Sequence, residues 1–144
     1  EELRDLLDPH VLDELELELQ RRTEHRRIRH AEDLWDTLRL LGPLTADELA
    51  LRCDDGPGPW IEQLTAARRV IEVVIDGRAH LAVAEDAARL RDALGCALPL
   101  GLPTAFTDPV PEPLVELVAR YARTHGPFVT WCFTAPVAPS YRYR

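Results

Sequence analysis

The stretch Gly42-Pro43-Leu44-Thr45-Ala46-Asp47-Glu48 decides how this chain folds. Glycine followed by proline ends whichever helix precedes it. Thr45 and Glu48, three residues apart, form a capping box, in which each side chain accepts a hydrogen bond from a free backbone N–H at the start of a helix. The stretch therefore predicts the end of one helix and the start of a second, short helix over residues 46–53.

The sequence after this short helix changes from helical to strand-like spacing. A breaker over residues 54–59 is followed by apolar residues at helical spacing within residues 60–69. Residues 70–75 are rich in β-branched side chains and predict a strand. Asp76-Gly77 predicts a tight hairpin turn, and residues 78–83 supply the partner strand. Helix, turn, helix and hairpin in this order indicate a winged helix-turn-helix.

Two flanking helices complete this unit, and we place the winged-helix domain at residues 31–95. Residues 31–41 carry an apolar stripe and predict its first helix, and residues 85–94 predict a helix after the hairpin, ended by Gly95. The predicted fold class is therefore mainly α with a small β-hairpin. The positions expected to form its core are Leu34, Trp35, Leu38, Leu49, Ile61, Leu64, Val73, Ile75, Leu81 and Leu90.

The segment before this domain, residues 1–30, is charged and predicted to be helical. Asp8-Pro9 fits an N-cap followed by proline at the first helical position, and leucines at helical spacing follow as far as about Thr23. Either the winged helix or a neighbouring domain outside this chain would cover that leucine face. The arginines of residues 21–30 form a basic cluster, which would either contact phosphates or pair with nearby glutamates at a solvated helix end.

The segment after the domain begins with a proline-rich linker over residues 96–113, in which we expect Phe106 to pin the linker to a surface. The pattern of a helix followed by Gly-Pro then occurs a second time, at residues 114–127. We therefore assign residues 114–144 to the truncated start of a second winged helix, followed by an irregular tail that we expect to be poorly ordered.

Composition limits what this chain does and where it works. A formal net charge of −8 and a pI near 5.1 argue against strong autonomous binding to nucleic acid, because free-standing DNA-binding domains carry basic surfaces. The three cysteines form no ligand pattern with the histidines, and we interpret them as reduced thiols in a cytoplasmic protein. No apolar run reaches the ~18 residues of a membrane span, and no signal-peptide layout is present.

The sequence also lacks the patterns expected of a catalyst. There is no G-x-x-x-x-G-K-[ST] phosphate loop. Asp54-Asp55 is a close pair of acids in a loop, and a turn between helices explains it. Asp86, Asp92 and Asp108 have no partner that the sequence identifies. We therefore predict no enzyme activity, no cofactor and no small-molecule substrate.

Several stretches resemble the Lhr (large helicase-related) family of actinobacteria, from residue 1 to about residue 128. The most specific of them is Ala119-Arg120-Tyr121-Ala122-Arg123-Thr124-His125-Gly126-Pro127-Phe128, and residues 2–9, 38–45, 67–71 and 85–95 add to it. The resemblance implies the region after the core of an ATP-powered superfamily 2 helicase, where winged-helix domains follow one another. It also implies work on DNA or RNA:DNA hybrids in repair, next to a C-terminal region similar to DNA glycosylases.

No catalytic residue carries over from that family, because its helicase and glycosylase motifs are absent from this sequence. The family continues into another helix after Phe128, and this chain does not. Residue 1 is Glu rather than Met, so we expect a trimmed start, a piece of a longer protein or a truncated gene product.

The predicted nucleic-acid-binding residues are Arg68, Arg69, Arg78 and His80, at the end of the third helix and on the wing. We expect them to make weak contacts to the DNA backbone, since the third helix itself offers little for reading bases. The partners would be DNA or neighbouring helicase domains. The alternative is a winged-helix module that binds proteins and no nucleic acid.

Overall fold

The structure, a computed structural model, describes residues 8–126 as a mostly helical unit with one two-stranded antiparallel sheet. The helix–turn–helix–hairpin order predicted from the sequence is confirmed. In chain order the elements are α1 (Pro9–Leu19), α2 (Ala31–Leu41), α3 (Ala46–Ala50), α4 (Gly58–Ala66), β1 (Val70–Ile75), β2 (Arg78–Val83), α5 (Ala87–Leu94) and α6 (Pro113–Thr124), with single 3-10 turns at Glu24–Arg26, Ala84–Asp86 and Thr104–Phe106.

The two strongest local signals form as predicted. The Thr45 hydroxyl accepts from the backbone N–H of Glu48 at 3.2 Å, and the Glu48 carboxylate accepts from the backbone N–H of Thr45 at 2.8 Å. Asp76 and Gly77 both adopt positive φ, 50° and 72°, which a tight hairpin turn of this type requires. Together they fix where α3 starts and how β1 pairs with β2.

The helices end earlier than the apolar spacing predicts. Instead of reaching Thr23, α1 stops at Leu19; likewise α4 stops at Ala66, before Arg68 and Arg69. After each of these helices an arginine takes the left-handed conformation, Arg21 with φ 54° and Arg68 with φ 56°. The following backbone N–H groups bond back to earlier carbonyls in the Schellman pattern, which terminates a helix.

The hairpin is a ribbon that divides the interior into two cores. Alternate strand residues point to opposite faces, so each face receives its own set. The first core also contains Leu34 and Leu38 of α2, and the second contains Leu90 of α5. The ribbon contributes Val70, Leu81 and Val83 to the first core, and Ile71, Val73 and Ala82 to the second. Backbone bonds between Leu44 and Leu81 attach the α2–α3 turn to the ribbon.

The predicted core is confirmed in most positions. Trp35, Ile61 and Ile75 are partly buried and pack against the two cores, and the remaining predicted positions are buried. The linker is also partly buried. Phe106 packs against the second core as expected, together with Leu98 and Leu102.

Residues 8–30 are less helical than predicted. The described part contains α1, in which the Asp8 side chain accepts from the backbone N–H of His10 as the predicted N-cap, and one 3-10 turn. The polypeptide then runs extended to Ile28, whose N–H donates to the carbonyl of Arg52 at 2.8 Å. The expected irregular tail and residues 1–7 lie outside the described residues.

Candidate nucleic-acid interface

The helix that would enter a DNA groove, α4, carries no basic side chain. Its exposed residues include Glu62, Gln63 and Thr65, and its buried side is fixed by Leu64. A helix that reads or tracks DNA normally brings Lys or Arg to the phosphates. Any positive charge at this face must therefore come from the residues after α4 and from the wing.

The Arg69 side chain already contacts two side chains of α2 within this chain. Its guanidinium donates two hydrogen bonds to the Glu32 carboxylate of α2, one of them measuring 2.9 Å at Nη2. It also lies over the Trp35 ring, 4.8 Å from the centroid, in cation–π geometry. The hydrogen bond to Glu32 raises the pKa of Arg69 and lowers that of Glu32. A phosphate at this position would have to displace the carboxylate.

Arg68 lies on the other side of the ribbon. Its Nη1 donates to the Gly101 carbonyl of the linker at 2.9 Å, beside the segment that covers the second core. The strand register places Arg78 and His80 on the ribbon face that packs against this same core. The Arg78 side chain has no polar partner within residues 8–126, and the His80 Nδ1 lies 2.9 Å from the Arg78 carbonyl.

The four predicted residues therefore do not form one patch. Arg68, Arg78 and His80 lie towards the second core, and Arg69 turns away from them to α2. The strand pairing alone predicts where Arg78 and His80 point. The direction of the Arg69 side chain depends on its hydrogen bonds to Glu32, which lies 37 residues earlier. No local sequence pattern predicts that contact.

Two of the five arginines in the basic cluster of residues 21–30 form ion pairs within the described residues. The Arg26 Nε donates to Glu18 Oε1 at 2.8 Å, and the Arg27 Nε donates to Asp54 Oδ1 at 2.6 Å. The interpretation as paired arginines at a helix end is thus confirmed for Arg26, and Arg27 pairs with an aspartate of the α3–α4 turn. The Asp54-Asp55 pair lies in that turn, as expected from the sequence.

Sequence reasoning missed a buried ion network beneath α6. Asp86, whose side chain is 4% exposed, accepts from Arg120 of α6 at 2.5 and 2.9 Å and also from Arg89. Arg89 in turn donates to Glu116 at 2.6 Å. The sequence identified no partner for Asp86, and the structure shows two, Arg89 and Arg120. Asp86 and Arg120 are 34 residues apart in sequence, so no local pattern predicts this pair.

The sequence identified no partner for Asp92 either, and the structure shows two. Its carboxylate accepts from the Arg91 guanidinium at 2.7 Å and from the Val110 backbone N–H at 3.0 Å. These contacts attach the linker to the end of α5. Hydrogen bonds from Arg91 and from the Val110 amide lower the pKa of Asp92.

The winged-helix fold agrees with the family that the sequence resembles, and so does the comparison with family models. Residues 5–109 match the model described as large helicase-related protein, winged-helix domain. The chain belongs to this Lhr family. The resemblance read from the sequence is therefore confirmed, including its winged-helix fold.

Two Lhr relatives cover most of this chain. The protein named "Lhr helicase/ probable uracil glycosylase" from Mycolicibacterium smegmatis is 47% identical over 130 residues, which is 90% of this chain and 9% of that protein. The "Lhr helicase/uracil glycosylase" of Escherichia coli is 44% identical over 125 residues, 85% of this chain and 8% of that protein. This Lhr chain thus spans less than a tenth of the length of either relative.

Within the described residues of this Lhr domain, no three His, Cys, Asp or Glu side chains gather in a way that could hold a metal ion. Cys53 and Cys96 are buried free thiols, and burial raises the pKa of both. No helix among residues 8–126 is long and apolar enough to cross a membrane.

Proposed function

We propose that this chain is a non-catalytic winged-helix module of an Lhr-type helicase that works in DNA repair and that it braces neighbouring domains of that protein. As part of such a helicase it would work in the cytoplasm, where the nucleic acid and ATP are. The observation that carries the bracing role is α1, a helix with apolar side chains and no buried residue.

The apolar side chains of α1 are available to a neighbour. Val11 and Leu15, one helical turn apart, are 58% and 46% exposed, and Leu17 is 41% exposed. Apolar residues at this spacing on one helix normally face a packed partner. An Lhr protein would supply one in cis, because more than nine-tenths of each relative lies outside the matched segment.

A second candidate function is a protein-interaction module that binds no nucleic acid. One observation favours it: α4 carries no basic residue, and Glu32 neutralises the adjacent Arg69. The weak backbone contact that the sequence predicts would rest on Arg68 and Arg78, of which Arg78 has no polar side-chain partner in the described part of the chain.

The bracing role is tested by association in trans. The purified chain is mixed with a full-length Lhr protein from which the corresponding segment has been deleted, and binding is followed by analytical ultracentrifugation. The double change Val11→Ser and Leu15→Ser should weaken association at least tenfold, since two partly exposed apolar side chains leave the interface.

The matched control is Leu100→Ser, at a loop position that is 99% exposed and outside α1. Its association should equal that of the wild type. Equal weakening by both variants, or association that neither variant changes, would remove α1 as the bracing surface.

A further inference from the structure

Two shallow clefts adjoin at Arg123 on α6. One is lined by Arg89, Glu116 and Arg120, together with Arg123. The other lies between α6 and the α1–α2 loop, where Arg123 is joined by the side chains of Glu18, Leu19, Arg21, Arg26 and Leu40. We call the five arginines of the two clefts the arginine track: Arg21, Arg26, Arg89, Arg120 and Arg123.

The acids near the track do not balance its charge. Arg120 is held by the buried Asp86, Arg89 is shared between Asp86 and Glu116, and Arg26 pairs with Glu18. The three acids near the track, Asp86, Glu116 and Glu18, are therefore all ion-paired with Arg120, Arg89 or Arg26.

Two arginines of the track are left without an acidic partner. Arg123 is exposed and Arg21 is half-buried, and neither has an ion pair or a side-chain hydrogen bond within residues 8–126. Arginines that converge on adjoining clefts repel one another unless an anion lies between them. In a chain with a net charge of −8, this local excess of positive charge is the feature that requires an explanation.

We propose that the arginine track binds the phosphodiester backbone of a nucleic acid strand, through residues other than those of the wing. The proposal rests on the helicase context proposed above. A planar guanidinium group can donate two parallel hydrogen bonds to the oxygens of one phosphate, in a bidentate geometry. A strand presents one phosphate about every 3.4 Å along a duplex axis, so two adjoining clefts suit consecutive phosphates better than one isolated ion. Binding through phosphates alone is independent of sequence.

Part of the track is built into the fold. The guanidinium of Arg120 is oriented by Asp86, which lies beneath α6, and Arg89 is held by acids on both of its sides. Arginines that are already oriented lose less conformational freedom when a ligand binds. By contrast, Arg21 and Arg123 have no such contacts and would gain their partner only from the ligand.

The test compares two variants of the full 144-residue chain that carry the same change in charge. The track variant is Arg21→Ala with Arg123→Ala, and the wing variant is Arg68→Ala with Arg78→Ala. Each removes two positive charges, so any long-range effect of net charge is equal in both. A labelled DNA duplex and a labelled single strand are titrated at low and at moderate salt, and melting curves verify that both variants are folded.

The expected result is weaker binding by the track variant only. Loss of two phosphate contacts should reduce the slope of log K against log salt by about 1.8 on a duplex and by about 1.4 on a single strand. The wing variant should keep the wild-type slope. Equal losses in both variants, a loss confined to the wing variant, or no binding by the wild type at low salt would each overturn the proposal.

A polyglutamate of equal charge serves as the competitor. Displacement of DNA by polyglutamate at the same charge concentration would assign the track to an acidic protein segment and overturn the nucleic-acid proposal. Failure of the track would leave the bracing role intact, because that role is tested with the apolar side chains of α1.

Discussion

At the scale of single residues, Asp86 holds the helices of the second core together. Its carboxylate is buried and accepts from arginines of two helices, α5 and α6. The hydrogen bond from Arg120 to Asp86 raises the pKa of Arg120, so this guanidinium stays charged. A buried ion pair contributes little when intact, but removal of one partner is costly because the other charge is left uncompensated.

Replacement of Asp86 by Asn should therefore destabilise the protein by about 3 kcal/mol, since two arginines would lose their acceptor. The free energy of unfolding is measured by urea denaturation at neutral pH. The control is Asp55→Asn, at an exposed turn position without a side-chain partner in the described residues, which should change stability by less than about 0.5 kcal/mol. Similar stabilities for the two variants would show that α6 does not depend on Asp86.

Leu64 is the buried residue through which α4 packs against the first core. Its side chain is 1% exposed and belongs to the first core. Leu64→Ala should cost about 2–5 kcal/mol, through lost burial and the cavity that remains. Gln63→Ala, at the exposed neighbouring position, should cost less than about 0.5 kcal/mol in the same denaturation experiment. An unchanged midpoint for Leu64→Ala would contradict the position assigned to α4.

At the scale of elements, the sequence predicts helix starts and the hairpin turn better than helix ends. Thr45 with Glu48, and Asp76 with Gly77, act over a few residues, so their effect can be read locally. The ends of α1 and α4 could not be read in this way, because arginine rarely adopts positive φ. At Arg68 the conformation coincides with a hydrogen bond to Gly101, which is distant in sequence.

The loop between α1 and α2 should respond to acid through Glu18. Hydrogen bonds from Arg26, then Thr23 and His25, lower the pKa of Glu18 from 4.5 to about 2. Because the folded-state pKa is depressed, the stabilisation from these contacts is complete above pH 4.5 and is lost as the pH falls towards 2. NMR titration of the Glu18 side chain should show this low pKa.

Glu18→Gln is the matched variant for that titration. The backbone amide signals of the loop should shift with acid in the wild type, and this component should vanish in the variant. A Glu18 pKa near 4.5 in the wild type would contradict the described contacts with Arg26 and Thr23.

At the scale of the whole molecule, the contacts of α6 bear on where the fold ends. The sequence assigns this helix to the start of a second winged helix, beyond a linker. In the structure Arg120 of α6 bonds to Asp86, and Leu117 packs against the second core. The Gln20 Nε2 donates to the Thr124 carbonyl at the other end of the helix, at 2.5 Å. These pairs are far apart in sequence, which explains why spacing could not predict them.

Native-state hydrogen exchange decides whether α6 is part of the winged-helix unit. If it is, the amides of Val118 and Arg120 should open with nearly the same free energy as that of Leu38 in α2, because all belong to one cooperative unit. Exchange of the α6 amides that is much faster than that of Leu38 would indicate a separate unit beginning near residue 114. The Asp86→Asn variant, in contrast, should accelerate exchange in α6 more than in α2.

The candidate nucleic-acid interface was less predictable than the fold, because its side-chain contacts also join residues that are far apart in sequence. Arg78 and His80 follow from strand register, whereas the partners of Arg69, Arg89 and Arg120 lie between 3 and 37 residues away on other elements or turns. Charge alone therefore identified candidate arginines but not which of them were already neutralised. The two that stay without an acidic partner in the track, Arg21 and Arg123, lie outside the winged-helix hairpin altogether.

The ribbon that separates the two cores has a consequence for how such a domain varies over evolution. Each buried strand residue faces one core, so a change of side-chain volume near Leu34 is accommodated by neighbours of the first core and not by those around Leu90. Compensating substitutions should therefore arise in pairs on the same side of the ribbon. A lineage can remodel the side that meets α2 and α4 while the side beneath α5 keeps its ancestral residues.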